Sequence, residues 1–156
     1  MSVQRFSSGE RQWKRALAVV AGVIAAEALW VVAELVFGVR LQAPAGNGYP
    51  RPVDIGPGTV AIASAVLSLV GWGLLALLER FTSWARRIWL GLTAVALVLS
   101  FALPLGGTGV MAADRAMLVL MHLAVAAIVM PVLYRTSPQT ERAARQPNSV
   151  VMREAA

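Results

Sequence analysis

The chain has 156 residues, 58% hydrophobic and only 14% charged, with a mean hydropathy of +0.66; an ordinary soluble domain carries about 25% charged residues. It has no cysteine and one histidine, which excludes disulfides, thiolate metal sites and cysteine nucleophiles, and any multi-histidine metal or haem site within one chain. The net charge of +6 comes without the interleaved aromatic and basic pattern of a nucleic-acid surface, so no nucleic-acid partner is expected.

Residues 1–15 read as a polar, basic lead-in, partly an interfacial helix with Phe6 and Trp13 in the headgroup zone. The first apolar run, Ala16–Val39, is interrupted only by Glu27 and Glu34. Its basic start and the later Ala43-Pro44-Ala45 resemble a signal peptide, but the run far exceeds the usual signal core of about 7–15 residues. It is therefore read as a retained helix, 16–39. Arg40–Gly58 follows as an outer loop, with Pro44, Pro50, Pro52 and Pro57 among four glycines. That density is expected to prevent regular structure and give a surface loop; the alternative is a cap over the outer mouth of a bundle. A second helix is expected over 59–79. The short turn at Phe81–Arg87 makes the third helix, 86–105, its antiparallel neighbour, with Trp84 and Trp89 in an interfacial belt. Pro104 should end that helix. After the tight turn Gly106-Gly107-Thr108-Gly109, the fourth helix is expected over 112–134. Asp114 would complement its dipole and Pro131 would kink it near its inner end. Residues 136–156 read as a disordered polar tail.

About 20 apolar residues span a bilayer as a helix. The fold class is thus all-α: an integral-membrane four-helix bundle, up-down-up-down, filling residues 16–135. With the N-terminus inside, eleven of the fourteen basic residues fall on inner segments, leaving Arg40, Arg51 and Arg115 outside. This bias places both termini in the cytoplasm and the chain in the bacterial inner membrane as a multi-pass protein. Anionic headgroups on the cytoplasmic side are the expected partners, with a homo-oligomer or a larger membrane complex open.

Glu27 and Glu34 lie seven residues apart in the first helix, and Arg115 and His122 lie seven apart in the last. Seven residues are about two helical turns, so each pair shares a face. Antiparallel packing of these helices would set Glu34 against Arg115 and Glu27 against His122. Ionisable groups in hydrocarbon face a bundle interior, a partner or a cavity. Ser64, Ser68, Thr93 and Ser100 add small hydroxyls at similar depths, where helix packing is their commonest role. The expected interior stripes are Val23, Glu27, Trp30 or Val31, and Glu34 on the first helix, and Arg115, Val119, His122 and Ala126 on the last. Together they predict a polar column from the membrane centre to the outer surface. Its ligand-binding or proton-carrying candidates are Glu27, Glu34, Arg115, His122, Trp30, Ser64, Ser68 and Ser100. No catalytic, cofactor-binding or metal-binding motif is present in the sequence.

Several stretches carry a family resemblance: Asp54–Val60, Gly71–Glu79, Ala85–Trp89, Leu99–Pro104 and Met121-His122-Leu123. Across residues 12–135 the chain resembles an uncharacterised family of small four-span membrane proteins from actinobacteria. The resemblance implies architecture and location and carries no activity. Glu27 within Ala25-Ala26-Glu27-Ala28 also looks like the single membrane-embedded glutamate of small multidrug exporters. The second glutamate, the arginine and histidine, the long loop and the tail depart from that pattern.

The expected function is a non-enzymatic bundle that binds a small ligand or lipid in its polar column, or assists a larger complex. The alternative is a proton-coupled small-molecule transporter working through Glu27. A membrane enzyme using Glu27 and His122 as acid and base has the least support.

Overall fold

The computed structural model describes residues 7–45, 50–106 and 108–137. Phe6 and the tail beyond Ser137 lie outside the described residues.

The first helix, α1 (Ser8–Val31), begins eight residues before the expected start. Its cause is local. Ser7 stands at the N-cap and accepts a hydrogen bond from the Glu10 amide at 3.2 Å, which satisfies one of the orphan donors of a first turn. Glu10 then pairs with Lys14 one turn on, at 2.9 Å. The lead-in is thus an extension of the first helix. At its other end α1 widens into a π turn, Val32–Val36, which contains Glu34. The turn closes where the Val39 amide donates to the Ala33 carbonyl at 2.9 Å, across Gly38 at φ +62°, a conformation glycine adopts without steric cost.

Two short strands, β1 (Gln42–Ala43) and β2 (Val53–Asp54), pair antiparallel with Gln42 opposite Asp54. The loop expected to lack regular structure therefore contains a small hairpin. It is fastened at several points. Leu41 is buried and its carbonyl accepts from the Ile55 amide at 2.8 Å. Ala45 and Thr108 exchange backbone hydrogen bonds of 2.9 and 3.2 Å. Gly109, at φ +82°, lets Pro52 approach to 2.8 Å from where a Cβ would stand. Proline and glycine here shape a strap across the ends of α1 and the last helix.

The second helix, α2 (Pro57–Phe81), starts with Pro57 in its first turn, where a missing N–H costs nothing. The third, α3 (Ala85–Ser100), stops four residues before Pro104, because Pro104 cannot donate to the Ser100 carbonyl. The chain resumes as a single turn, α4 (Ala102–Gly106). The last helix, α5 (Ala112–Thr136), runs on through Pro131, which lies on its exposed side.

Among the described residues four segments are long and apolar enough to cross a membrane: Ser8–Val36, Pro57–Phe81, Ala85–Gly106 and Ala112–Thr136. α1 packs chiefly on α5 and α2, and α3 packs on α2 and α5. The start of α1 meets the ends of α2 and α5, and the start of α3 meets the end of α5. Neighbours therefore alternate in direction, as expected for an up-down-up-down bundle. The core has two layers. Near the hairpin it is Ala33, Leu41, Leu118 and Met121; near the termini it is Leu75, Trp89, Val129 and Leu133. Between them Gly22 brings α1 close to α5, for a Cβ there would stand 3.0 Å from a Val129 methyl. The remaining apolar side chains of all four segments are largely exposed, which suits a hydrocarbon surround.

Candidate functional site

The stripes of α1 and α5 that face the bundle are set one residue away from those expected. On α1 the buried positions are Arg15, Ala18, Val19, Gly22, Ala26 and, in the π turn, Ala33. On α5 they are Asp114, Leu118, Met121, Val129, Leu133 and Thr136. One residue is about 100° around a helix, so Glu27, Glu34, Arg115 and His122 sit on the flanks of the contact, each half-buried. The physical reason lies in Ala18, Gly22 and Ala26. In lipid no hydrophobic force drives helices together, and small residues that admit close backbone approach decide the interface.

The expected pairs do not form: no ion pair joins Glu34 to Arg115 or Glu27 to His122 among the described residues. Arg115 instead donates through Nη1 to the Leu105 carbonyl at 2.8 Å, tying α5 to α4. His122 Nδ1 lies 2.7 Å from the Leu118 carbonyl. A carbonyl only accepts, so Nδ1 carries a proton. The ring stands edge-on to Phe101 at 6.3 Å. Glu34 rides the π turn. Trp30 donates through Nε1 to the Ile55 carbonyl at 2.8 Å, anchoring the hairpin strap. Ser64 and Ser100 return their hydroxyls to their own helices, at 2.7 Å to Val60 and 2.6 Å to Leu97; Thr93 does the same to Trp89 at 2.9 Å. These hydroxyls are used locally, as packing residues are.

Two of the candidates keep something in reserve. Glu27 Oε1 and Ser68 Oγ are both shut off from solvent without a hydrogen-bond partner. Their depths can be compared through the Arg15–Glu79 contact. Glu27 is twelve residues beyond Arg15, and Ser68 is eleven before Glu79. At about 1.5 Å per residue Glu27 lies about 18 Å along α1 from Arg15, whereas Ser68 packs at the level of Gly22, five residues nearer to Arg15. Ser68 faces α1 across Gly22. Of the expected polar column, these two unpartnered atoms remain, at different levels of the bundle.

The charged contact of the interior is one the expectation missed. Arg15, only 4% exposed, donates to both carboxylate oxygens of Glu79, at 3.2 and 2.6 Å. It also donates to the Thr136 hydroxyl at 3.0 Å and the Thr136 carbonyl at 3.1 Å. One guanidinium therefore binds α1, α2 and α5. Both charges flank apolar runs at one level, which was the available signal. Asp114 was also missed as a buried group: it is 2% exposed, and its Oδ2 accepts from the Met111 amide at 2.9 Å. No cluster of three metal-ligating side chains occurs among the described residues.

A family model described as a family of unknown function, DUF6069, matches residues 7–139. The chain belongs to this family. The match takes in all four spans, the hairpin strap and the Arg15–Glu79–Thr136 knot. No curated protein and no solved structure matches the chain.

Proposed function

We propose that this DUF6069 member is a non-enzymatic protein of the bacterial inner membrane, with both termini cytoplasmic, whose bundle holds a small ligand at Glu27. The observation that carries the reading is the Glu27 carboxyl oxygen, enclosed at mid-bundle with no donor among the described residues. A polar atom taken out of water without a partner is costly, and more so in hydrocarbon. A ligand that donates a hydrogen bond, or carries a positive charge, would remove that cost. Charge supports the orientation. The end bearing the termini holds Arg11, Lys14, Arg15, Arg80, Arg86, Arg87 and Arg135 against Glu10 and Glu79. At the hairpin end Arg40, Arg51 and Arg115 are balanced by Glu34, Asp54 and Asp114.

The test is native mass spectrometry of the gently solubilised protein beside Glu27→Gln. A discrete bound mass, present in the parent and lost in the variant, is the expected result. A bare protein in both samples overturns the reading. The same unpartnered oxygen favours one alternative, a proton-coupled transporter, because a carboxyl with no fixed partner can release its proton without breaking a hydrogen bond. Proton-linked flux in proteoliposomes, abolished by Glu27→Gln, would select it.

A further inference from the structure

The turn between α2 and α3 gathers charge that no carboxylate among the described residues neutralises. Of the seven basic residues at the terminal end, Lys14 pairs with Glu10 and Arg15 with Glu79. These are the two acidic residues at that end among the described residues, so Arg11, Arg80, Arg86, Arg87 and Arg135 have no carboxylate there.

Arg86 is the unusual member. Its guanidinium lies 3.6 Å from the centre of the Tyr134 ring, a cation–π contact that holds the plane in place. Its Nε is sealed from solvent yet has no hydrogen-bond partner, and no acceptor meets the other nitrogens among the described residues. Beside it Arg87 lies over the Trp84 ring at 5.2 Å. Both arginines stand in the first turn of α3, which has no acidic residue and no side-chain cap. The Arg87 amide already donates to the Trp84 carbonyl at 2.9 Å, but the positive end of the helix dipole still favours an anion; two cations there are the reverse of the stable arrangement. An anion at the outward guanidinium nitrogens and the helix start would offset the two cations, while the sealed Nε stays out of its reach. The fork of an arginine matches the paired oxygens of a phosphate.

The level of this site identifies the source of the phosphate. Trp13, Phe81 and Trp84 at the same end are 65%, 76% and 61% exposed, as aromatic side chains are at the headgroup zone. The apolar faces of the spans begin immediately beyond. We infer that Arg86, stacked on Tyr134 and flanked by Arg87, is a binding site for the phosphate of an anionic lipid headgroup. The site is separate from Glu27 and stands or falls without it.

The experiment is native mass spectrometry of the full chain in detergent, titrated with phosphatidylglycerol, with phosphatidylcholine, or with inorganic phosphate alone. Phosphatidylglycerol should be retained in preference to phosphatidylcholine. Arg86→Gln should weaken its retention about tenfold, while Arg11→Gln, an equal loss of charge at the same end, should change it little. Arg86→Lys keeps a cation over the ring without the planar fork and should fall between. Unfolding temperatures recorded in parallel show whether each variant is folded, and Arg86→Lys carries the test if Arg86→Gln is not. Equal losses for Arg86→Gln and Arg11→Gln would reduce the site to diffuse attraction and overturn the inference. Arg86-dependent binding of inorganic phosphate without retention of phosphatidylglycerol would overturn the lipid assignment.

Discussion

Arg15 leaves solvent almost entirely, yet four of the hydrogen bonds its guanidinium can make are made. A buried charge pair gives little net stability when compared with well-packed apolar residues, but removing one partner strands the other. Glu79 keeps 18% of its side chain exposed, so the penalty for stranding it is moderated. Arg15→Met should lower stability by about 2–3 kcal/mol, measured as unfolding in detergent. Adding Glu79→Leu should restore part of that loss, and strictly additive losses would show that the two side chains are not coupled. At this scale the sequence offered residue types but not pairings. Seven-residue spacing puts residues on one face of a regular helix, yet a spacing cannot say which neighbour a face meets. Glu27 and His122 were readable as polar groups within apolar helices; the absence of a bond between them was not.

Among the elements, α1 shows how lipid changes the rules of packing. Its buried face carries Ala18, Gly22 and Ala26, with Gly22 against Val129 of α5, while its glutamates lie to the side. Ala21, Ala25 and Ala28 offer a competing row of small residues, and composition alone does not choose between the rows. Gly22 and Gly73 provide a matched comparison. A Cβ at Gly22 would stand 3.0 Å from a Val129 methyl, whereas at Gly73 it meets nothing within 4 Å. Valine in a helix cannot easily turn its methyl away. Gly22→Ala should therefore forfeit the gain of about 1 kcal/mol that alanine brings to a helix, and Gly73→Ala should realise it. Thermal unfolding of the two variants checks this; equal stabilisation of both would show that α1 and α5 have room to spare. The extended start of α1 was legible, since Ser7-Ser8-Gly9-Glu10 has the residue pattern of a helix start. The strap was not, because its fastenings to Leu41, Thr108 and Gly109 join segments far apart in sequence.

For the whole molecule, the asymmetry of charge between the two ends makes orientation measurable. The chain contains no cysteine, so single cysteines can be introduced without background. Pro50 in the strap segment and Ser83 in the α2–α3 turn are both exposed. In intact cells a membrane-impermeant thiol reagent should label Pro50→Cys and leave Ser83→Cys unlabelled until the membrane is opened. The opposite pattern would reverse the orientation. Burial inside the bundle is slight, and most apolar area faces outward. In a membrane much of the stability must then come from close helix contacts and a few interhelical hydrogen bonds, such as Trp89 Nε1 to the Gly71 carbonyl at 2.8 Å.

Sequence by itself determined the four spans and their alternation, because apolar length and the obligation to satisfy every backbone group leave helices as the available solution in a bilayer. Tertiary structure alone decided rotation and partnership. A turn of one residue about each helix axis, set by which small side chains let backbones approach, moved Glu34 and Arg115 out of reach of each other. The same rotation brought Arg15 to Glu79 and Thr136 and left the Glu27 oxygen without a partner.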